Sequence, residues 1–304
     1  MNEMIPWVEK YRPKYMNGII LNNYNKLILD NIISKKHFPN LLFYGPPGTG
    51  KTTTMVSLIS TYQEGVVMKK GLCIHLNASD ERGIDTIRYQ ISNFVNSKGL
   101  FNDGLKFIIL DEVDYMTKSA QNGLKYLIEN SGDNVRYCLI CNYISKIEES
   151  LQNNFLKLKF NKLPDDSVIE LLSDISAKEN LNLSRDKLVN IQEYFESDIR
   201  SMINYIQTNN KNINIINKNL CMNLLKKGDK LNSVLNKINR ISLNYNIDKY
   251  SIVKEYIRNI VINKKYEINN DLLNSLETIF RNIDTCNDNN ISYIVLKLLT
   301  FEEQ

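Results

Sequence analysis

The run Gly45-Pro46-Pro47-Gly48-Thr49-Gly50-Lys51-Thr52 limits what this chain can fold into more than any other stretch. It fits the pattern G-x-x-x-x-G-K-[ST], which functions only between a strand that delivers it and a helix that continues it. The apolar run Asn40–Tyr44 reads as that strand and Thr52–Thr61 as that helix. Chance produces the pattern in a chain of this length on the order of one time in a hundred, and the flanking elements make a chance match rarer still. Glycines let backbone N–H groups close around phosphates, and the helix N-terminus adds a favourable dipole. Lys51 is placed to neutralise the β and γ phosphates of ATP and the Thr52 hydroxyl to ligate Mg²⁺, with Thr53 next in the binding run.

Such a loop needs acids at the end of a second apolar strand, and Lys106-Phe107-Ile108-Ile109-Leu110-Asp111-Glu112-Val113-Asp114 supplies them. Asp111 can hold Mg²⁺ through water, and Glu112 can orient or activate the attacking water. Further short β-type runs lie at Cys73–Leu76, Tyr137–Cys141 and Phe155–Phe160, alternating with helical stretches at Ile84–Asn96, Ser119–Glu129 and Ile147–Asn153. This is the pattern of an α/β domain with a parallel sheet. The nearly continuous apolar content of the strands predicts cover on both faces.

The texture changes near Lys162-Leu163-Pro164-Asp165-Asp166, where an Asp can cap a helix through Ile169, Leu172 and Ile175. The chain divides accordingly into residues 1–160, a small helical module over 161–218, and a helical block over 219–304 with an apolar stripe from Leu272 to Ile283. The Asn-rich stretch Thr208–Asn219 reads as a linker.

With 38 Lys+Arg against 34 Asp+Glu the chain is only mildly basic, so any nucleic-acid surface must be a local patch. No run approaches the roughly 18–20 apolar residues that span a bilayer, and the first residues lack the basic and apolar blocks of a signal peptide. The chain is therefore expected to be intracellular, not secreted, with no membrane partner. Its five cysteines are odd in number and scattered, as suits a reducing compartment. Cys138 and Cys141 form a C-x-x-C, but residues three apart in a strand face opposite ways and cannot chelate one ion together.

Pro6-Trp7-Val8-Glu9-Lys10-Tyr11-Arg12-Pro13, the Gly45–Thr52 loop, Asn77-Ala78-Ser79-Asp80-Glu81-Arg82-Gly83-Ile84, the Asp111–Asp114 acids and Leu139-Ile140-Cys141-Asn142 resemble, in order and spacing, the small subunits of replication factor C. These are AAA+ ATPases that load sliding clamps. The resemblance covers roughly residues 4–160 and continues more weakly through Ser197-Asp198-Ile199-Arg200. It implies an AAA+ P-loop NTPase domain followed by a helical lid and a helical collar domain for oligomerisation. It also implies that ATP and Mg²⁺ are bound and that ATP is hydrolysed to open a clamp and load it onto primer–template DNA. Val8, Tyr11, Arg12 and Pro13 match the segment around adenine. Asn142 matches the sensor of the γ-phosphate region, and Arg200 the second sensor, on the lid. Arg82 and Arg88 match positions facing DNA, with Thr117 and Lys118 nearby; no base-reading motif accompanies them, so binding is expected to be independent of sequence and sensitive to salt. The implied partners are other subunits in a hetero-pentamer, the clamp and the DNA. The implied location is the site of DNA replication, in a nucleus or a viral replication compartment.

The sequence departs from that family where a Ser-Arg-Cys donates an arginine finger to the neighbouring subunit. Here Gln152-Asn153-Asn154-Phe155 puts Asn154 at the finger position, and Leu124-Lys125-Tyr126 stands where Leu-Arg-Arg is usual. The expectation is a subunit that uses a neighbour's finger without serving the next site. Two other readings compete. One is an ATP-binding scaffold with little turnover; the other is a different AAA+ DNA-processing ATPase, against which the helical texture of residues 219–304, lacking β-hairpin signals, counts.

Overall fold

The computed structural model of the chain describes residues 5–63, 71–79, 84–97, 104–195, 198–209, 224–225, 228–245, 248–262, 273–274, 276–278 and 288–302. Most of the stripe expected over Leu272–Ile283 and of the Asn-rich stretch Thr208–Asn219 lies outside the described residues. By its contacts the chain forms two compact units, one of Met1–Leu188 with Phe195–Lys211 and one of Val189–Tyr194 with Asn212–Gln304.

The first unit is built on five parallel strands: β1 Leu41–Tyr44, β2 Cys73–Asn77, β3 Lys106–Asp111, β4 Val135–Cys141 and β5 Leu156–Lys159, in the order β2-β3-β4-β1-β5. Its helices are α1 Trp7–Lys10, α2 Asn23–Ser34, α3 Lys51–Tyr62, α4 Ile84–Asn96, α5 Lys118–Glu129, α6 Glu149–Gln152, α7 Asp165–Lys178 and α9 Ile199–Thr208; α8, Arg185–Phe195, precedes α9. Successive side chains of the inner strands point to opposite faces. Leu42, Ile108, Leu110, Leu139 and Cys141 join one core, and Leu41, Phe43, Phe107, Ile109, Cys138 and Ile140 the other. The two cysteines of the C-x-x-C thus lie in different cores, as the strand reading requires. Burial pushes both thiols up, Cys141 to about 12 and Cys138 well above its ordinary value.

The edges depart from the expectation of cover on both faces. Along β2 exposed and half-buried residues alternate, and on β5 only Leu158 is buried while Lys157 and Lys159 face solvent. An edge strand has a neighbour on one side only, and lysines there discourage pairing with another chain. The inner strands β3, β4 and β1 run straight into Glu112, Asn142 and Gly45, so one rim of the sheet gathers the residues singled out by sequence. That rim, at the carboxyl ends of parallel strands, is where open α/β sheets bind ligands.

In the second unit, helices Leu231–Tyr245, Lys249–Ile262 and Asp288–Glu302 enclose a core containing Val234, Ile238, Ile252, Tyr256 and Ile294. Among the described residues no helix is long and apolar enough to cross a membrane.

Below the phosphate loop, Phe38 packs edge-on against Phe107 and Tyr62, with ring centroids 4.8 and 5.1 Å apart. Phe38→Ala should destabilise the chain by roughly 3–5 kcal/mol, read as a lower urea midpoint, whereas Lys157→Ala on the exposed edge should stay within about 0.5 kcal/mol of wild type.

Candidate nucleotide site

The loop between β1 and α3 has a backbone that side chains would obstruct. Gly45 has φ +142°, and a Cβ there would stand 2.0 Å from the Phe160 carbonyl oxygen. Gly48 has φ +71°, and a Cβ there would stand 1.9 Å from Asp198 Oδ1 at the start of α9. The Ile199 N–H donates to the Gly48 carbonyl at 3.2 Å, so α9 rests directly on the loop. Within the loop the Thr49 hydroxyl donates to the Pro46 carbonyl at 2.9 Å. Gly50 begins α3 without a side-chain cap, which leaves the first N–H groups of that helix to an anion.

Lys51 is 7% exposed, and its Nζ donates to the Gly45 and Pro46 carbonyls at 2.8 Å each and to Asn142 Oδ1 at 2.9 Å. Burial lowers its pKa, opposed by the charges of Asp111 and Asp114. The next residue, Thr52, donates its hydroxyl to Asp111 Oδ2 at 2.7 Å. Asp111 Oδ1 accepts from the Glu112 N–H at 2.9 Å, and His75 Nε2 stands 3.9 Å from Oδ2. Burial acts to raise the Asp111 carboxyl, but His75, the Thr52 hydroxyl and the Glu112 N–H together hold it below its ordinary value.

Glu112 has φ 57°, a left-handed conformation that costs a non-glycine residue of order 1–3 kcal/mol and turns the chain sharply out of β3 into the 3₁₀ turn Val113–Tyr115. Asp114 in that turn is 5% exposed. Its Oδ2 accepts from the Tyr143 N–H at 3.3 Å, next to Asn142, while its Oδ1 has no hydrogen-bond partner. Buried Gln121 adds a second tie, donating to the Met116 and Lys146 carbonyls at 3.1 and 3.0 Å. The turns carrying Glu112 and Asn142 are therefore fixed to each other. Asp114, Gln121 and His75 had no assigned role in the sequence reading.

Above these groups lies a cavity of about 270 Å³. Val8, Tyr11, Arg12, Pro13, Pro47 to Thr53, Asp111, Glu112, Asn142 and Arg200 all line it, so segments far apart in sequence meet at one place. Gly45 and Pro46 lie beneath, as acceptors for Lys51. The sequence reading missed Gly18, Ile19, Ile20, Leu171 and Ile203, which complete the apolar wall. Gly18, Ile19 and Ile20 follow soon after the matched segment that ends at Pro13, whereas Leu171 and Ile203 show only the apolar spacing of a helix. Among the described residues no group of three or more His, Cys, Asp or Glu could hold a metal ion. The one carboxylate and one hydroxyl of Asp111 and Thr52 suit Mg²⁺, which keeps several waters and takes further oxygens from phosphates.

Of the residues matched to DNA contacts, Thr117 and Lys118 are not among those that line the cavity. Arg82 lies outside the described residues, as does the side chain of Arg88 in α4. Thr117 is exposed and caps α5 by accepting from the Ala120 N–H at 3.3 Å. The exposed Lys118 stands 3.2 Å from Glu148. Asn154, in the turn before β5, buries its Nδ2 without a hydrogen-bond partner.

The family described as "ATPase family associated with various cellular activities (AAA)" matches residues 41–162. Replication factor C subunit 5 of Mus musculus is 37% identical over 206 residues, 68% of this chain and 60% of that protein. Replication factor C subunit 3 of Schizosaccharomyces pombe is 38% identical over 203 residues, 67% and 59% of the two chains. Replication factor C subunit 4 of Homo sapiens is 38% identical over 211 residues, 67% and 58%. The match thus spans about three fifths of the length of these relatives. Among solved structures, that of a Thermotoga maritima RuvB mutant aligns over 83% of this chain and 91% of that one, with a TM-score of 0.49 and 12% identity.

Because the Asp111 carboxyl is held low, its contribution to stability is complete above the ordinary Asp value of about 3.9 and is lost as pH falls through the folded value. Between pH 5 and 3, without divalent metal, wild type should lose more stability than Asp111→Asn, measured by urea unfolding at stepped pH. Parallel profiles would contradict the assignment.

Proposed function

We propose that the protein binds ATP with Mg²⁺ in this cavity and hydrolyses it as a clamp-loader subunit, a reading supported by the AAA ATPase family match over residues 41–162 and by the similarity of two thirds of the chain to replication factor C subunits. The observation that carries the reading is the convergence of Lys51, Thr52, Asp111, Asn142 and Arg200 on one cavity that Val8, Tyr11, Arg12 and Pro13 also line.

In this reading the phosphates lie along the loop N–H groups and the start of α3, and Lys51 exchanges its carbonyl acceptors for phosphate oxygens. Thr52 and Asp111 hold the metal, whose chemistry is to neutralise charge on the phosphates. Glu112 orients and deprotonates the attacking water. Asn142 and Arg200 contact the γ-phosphate end from β4 and α9, so its loss is felt by two elements at once. Val8, Tyr11, Arg12 and Pro13 take the adenine.

The proposed partners are further subunits of a hetero-pentamer, a sliding clamp and primer–template DNA held without sequence preference by Arg82, Arg88, Thr117 and Lys118. The proposed setting is the site of DNA replication. Residues 1–160, 161–218 and 219–304 serve in turn as ATP-binding domain, lid and collar. Asn154 supplies no cation to a neighbour's site, so this subunit draws on a finger without giving one. The same residue favours the second reading, an ATP-binding scaffold with little turnover.

With the isolated chain, Lys51→Ala should abolish binding of a fluorescent ATP analogue, while Glu112→Gln should bind as wild type. In the complex purified from its native source, Glu112→Gln should lower clamp- and DNA-stimulated turnover by about 10²–10⁴-fold; equal rates would favour the scaffold reading. Asn154→Arg should raise turnover at the adjoining site, since a finger contributes about 10³–10⁵-fold where one operates; unchanged rates in every pairing would remove support for the missing-finger account.

A further inference from the structure

The segment Trp7–Pro13 lines the cavity through Val8, Tyr11, Arg12 and Pro13, where the reading above puts the base, yet it belongs to no strand of the sheet. Its place is set by three attachments. The Trp7 N–H donates to Gln207 Oε1 of α9 at 3.0 Å, and the Pro13 carbonyl accepts from the Ser57 hydroxyl of α3 at 3.1 Å. Between them, one carboxylate takes two consecutive residues: Glu179 Oε1 accepts from Lys10 Nζ at 2.5 Å and also from the Tyr11 hydroxyl. Lys178 adds its ammonium 5.9 Å from the Tyr11 ring centroid.

Glu179 is itself held firmly. It follows the last residue of α7, and the turn beyond is closed by buried Ser176, whose carbonyl accepts from the Leu181 N–H at 2.9 Å and whose hydroxyl oxygen accepts from the Leu183 N–H at 3.1 Å. Its side chain is 17% exposed. The bonds from Lys10 and Tyr11 hold its carboxyl below the usual range. A fixed, ionised acceptor therefore holds the Tyr11 phenol, which lines the cavity.

We propose that Glu179 is a positioning residue for nucleobase binding: by holding the Tyr11 hydroxyl and the Lys10 ammonium it fixes the wall formed by Trp7–Pro13. The phosphate end of the site does not depend on it. This rests on the nucleotide reading above and extends it to a residue that touches neither phosphate nor metal. Base affinity then follows the position of the α7 turn, while phosphate affinity follows the loop at Gly45–Thr52.

The test compares two ligands on the full chain in the presence of Mg²⁺: ATP, and inorganic tripolyphosphate, which has no base. Glu179→Ala should weaken ATP about tenfold, the scale of losing hydrogen bonds to a charged group, and leave tripolyphosphate unchanged. Glu179→Gln, which keeps an acceptor for Tyr11 without the ion pair, should fall between Glu179→Ala and wild type. Unchanged ATP affinity in Glu179→Ala would overturn the proposal, as would equal losses for both ligands, the mark of general loosening. Failure of the wild-type chain to bind ATP would be a different result, overturning the nucleotide reading itself.

Discussion

A lysine side chain taken out of water sets the terms for everything around it. Lys51 is held by carbonyl oxygens from Gly45 and Pro46 and by the Asn142 amide oxygen, each at hydrogen-bond distance. Neutral acceptors satisfy its donors but compensate a buried charge only in part. The nearby charges of Asp111 and Asp114 offset part of that cost, and the ammonium is kept in place with the N–H groups of α3 beside it and Arg200 on the same cavity. Asn142 reaches Lys51 only because β4 lies next to β1 in the sheet, and Asp111 reaches Thr52 only because β3 follows β4. Sheet order is what turns three separate strand ends into one site.

Two further constraints keep that rim in shape. The left-handed Glu112 turns its chain out of the sheet just after Asp111. At Gly48, α9 comes so close to the loop that any side chain would strike Asp198. The helix carrying Arg200 is in this way referenced to the phosphate loop by backbone contact, the kind of joint through which loss of a phosphate can be felt by a neighbouring element.

What could be read from sequence was whatever the chemistry concentrates in a few consecutive residues. The phosphate loop, the acids after β3 and the Asn after β4 each carry their own local context, and all of them meet. Helix α4 falls at the residues expected, while α3 and α5 begin one residue earlier. Alternation within a strand also predicted that Cys138 and Cys141 face apart. Less legible was anything decided by which strand or helix lies beside which. The half-exposed faces of β2 and β5 follow from their edge positions, and a pattern of apolar residues does not state strand order. Gln121 reads as one more polar residue on an amphipathic helix, yet it is buried and joins two turns. Leu171 and Ile203 line the cavity from helices far downstream of the phosphate loop, and Glu179, just after α7, holds Lys10 and Tyr11; nothing in their neighbours' identity marks them.

The alignments with replication factor C subunits cover about three fifths of their length, and the AAA family match, residues 41–162, includes the phosphate loop, Asp111, Glu112 and Asn142. In the proposed reading base and phosphates occupy one cavity together. The most direct measurement is an experimental structure of the chain with Mg²⁺ and a non-hydrolysable ATP analogue. The account predicts Lys51 Nζ on phosphate oxygens instead of the Gly45 and Pro46 carbonyls, and the base between Val8, Tyr11 and the α9 wall. A nucleotide bound elsewhere, or a cavity with Lys51 still on its carbonyls at saturating analogue, would contradict it.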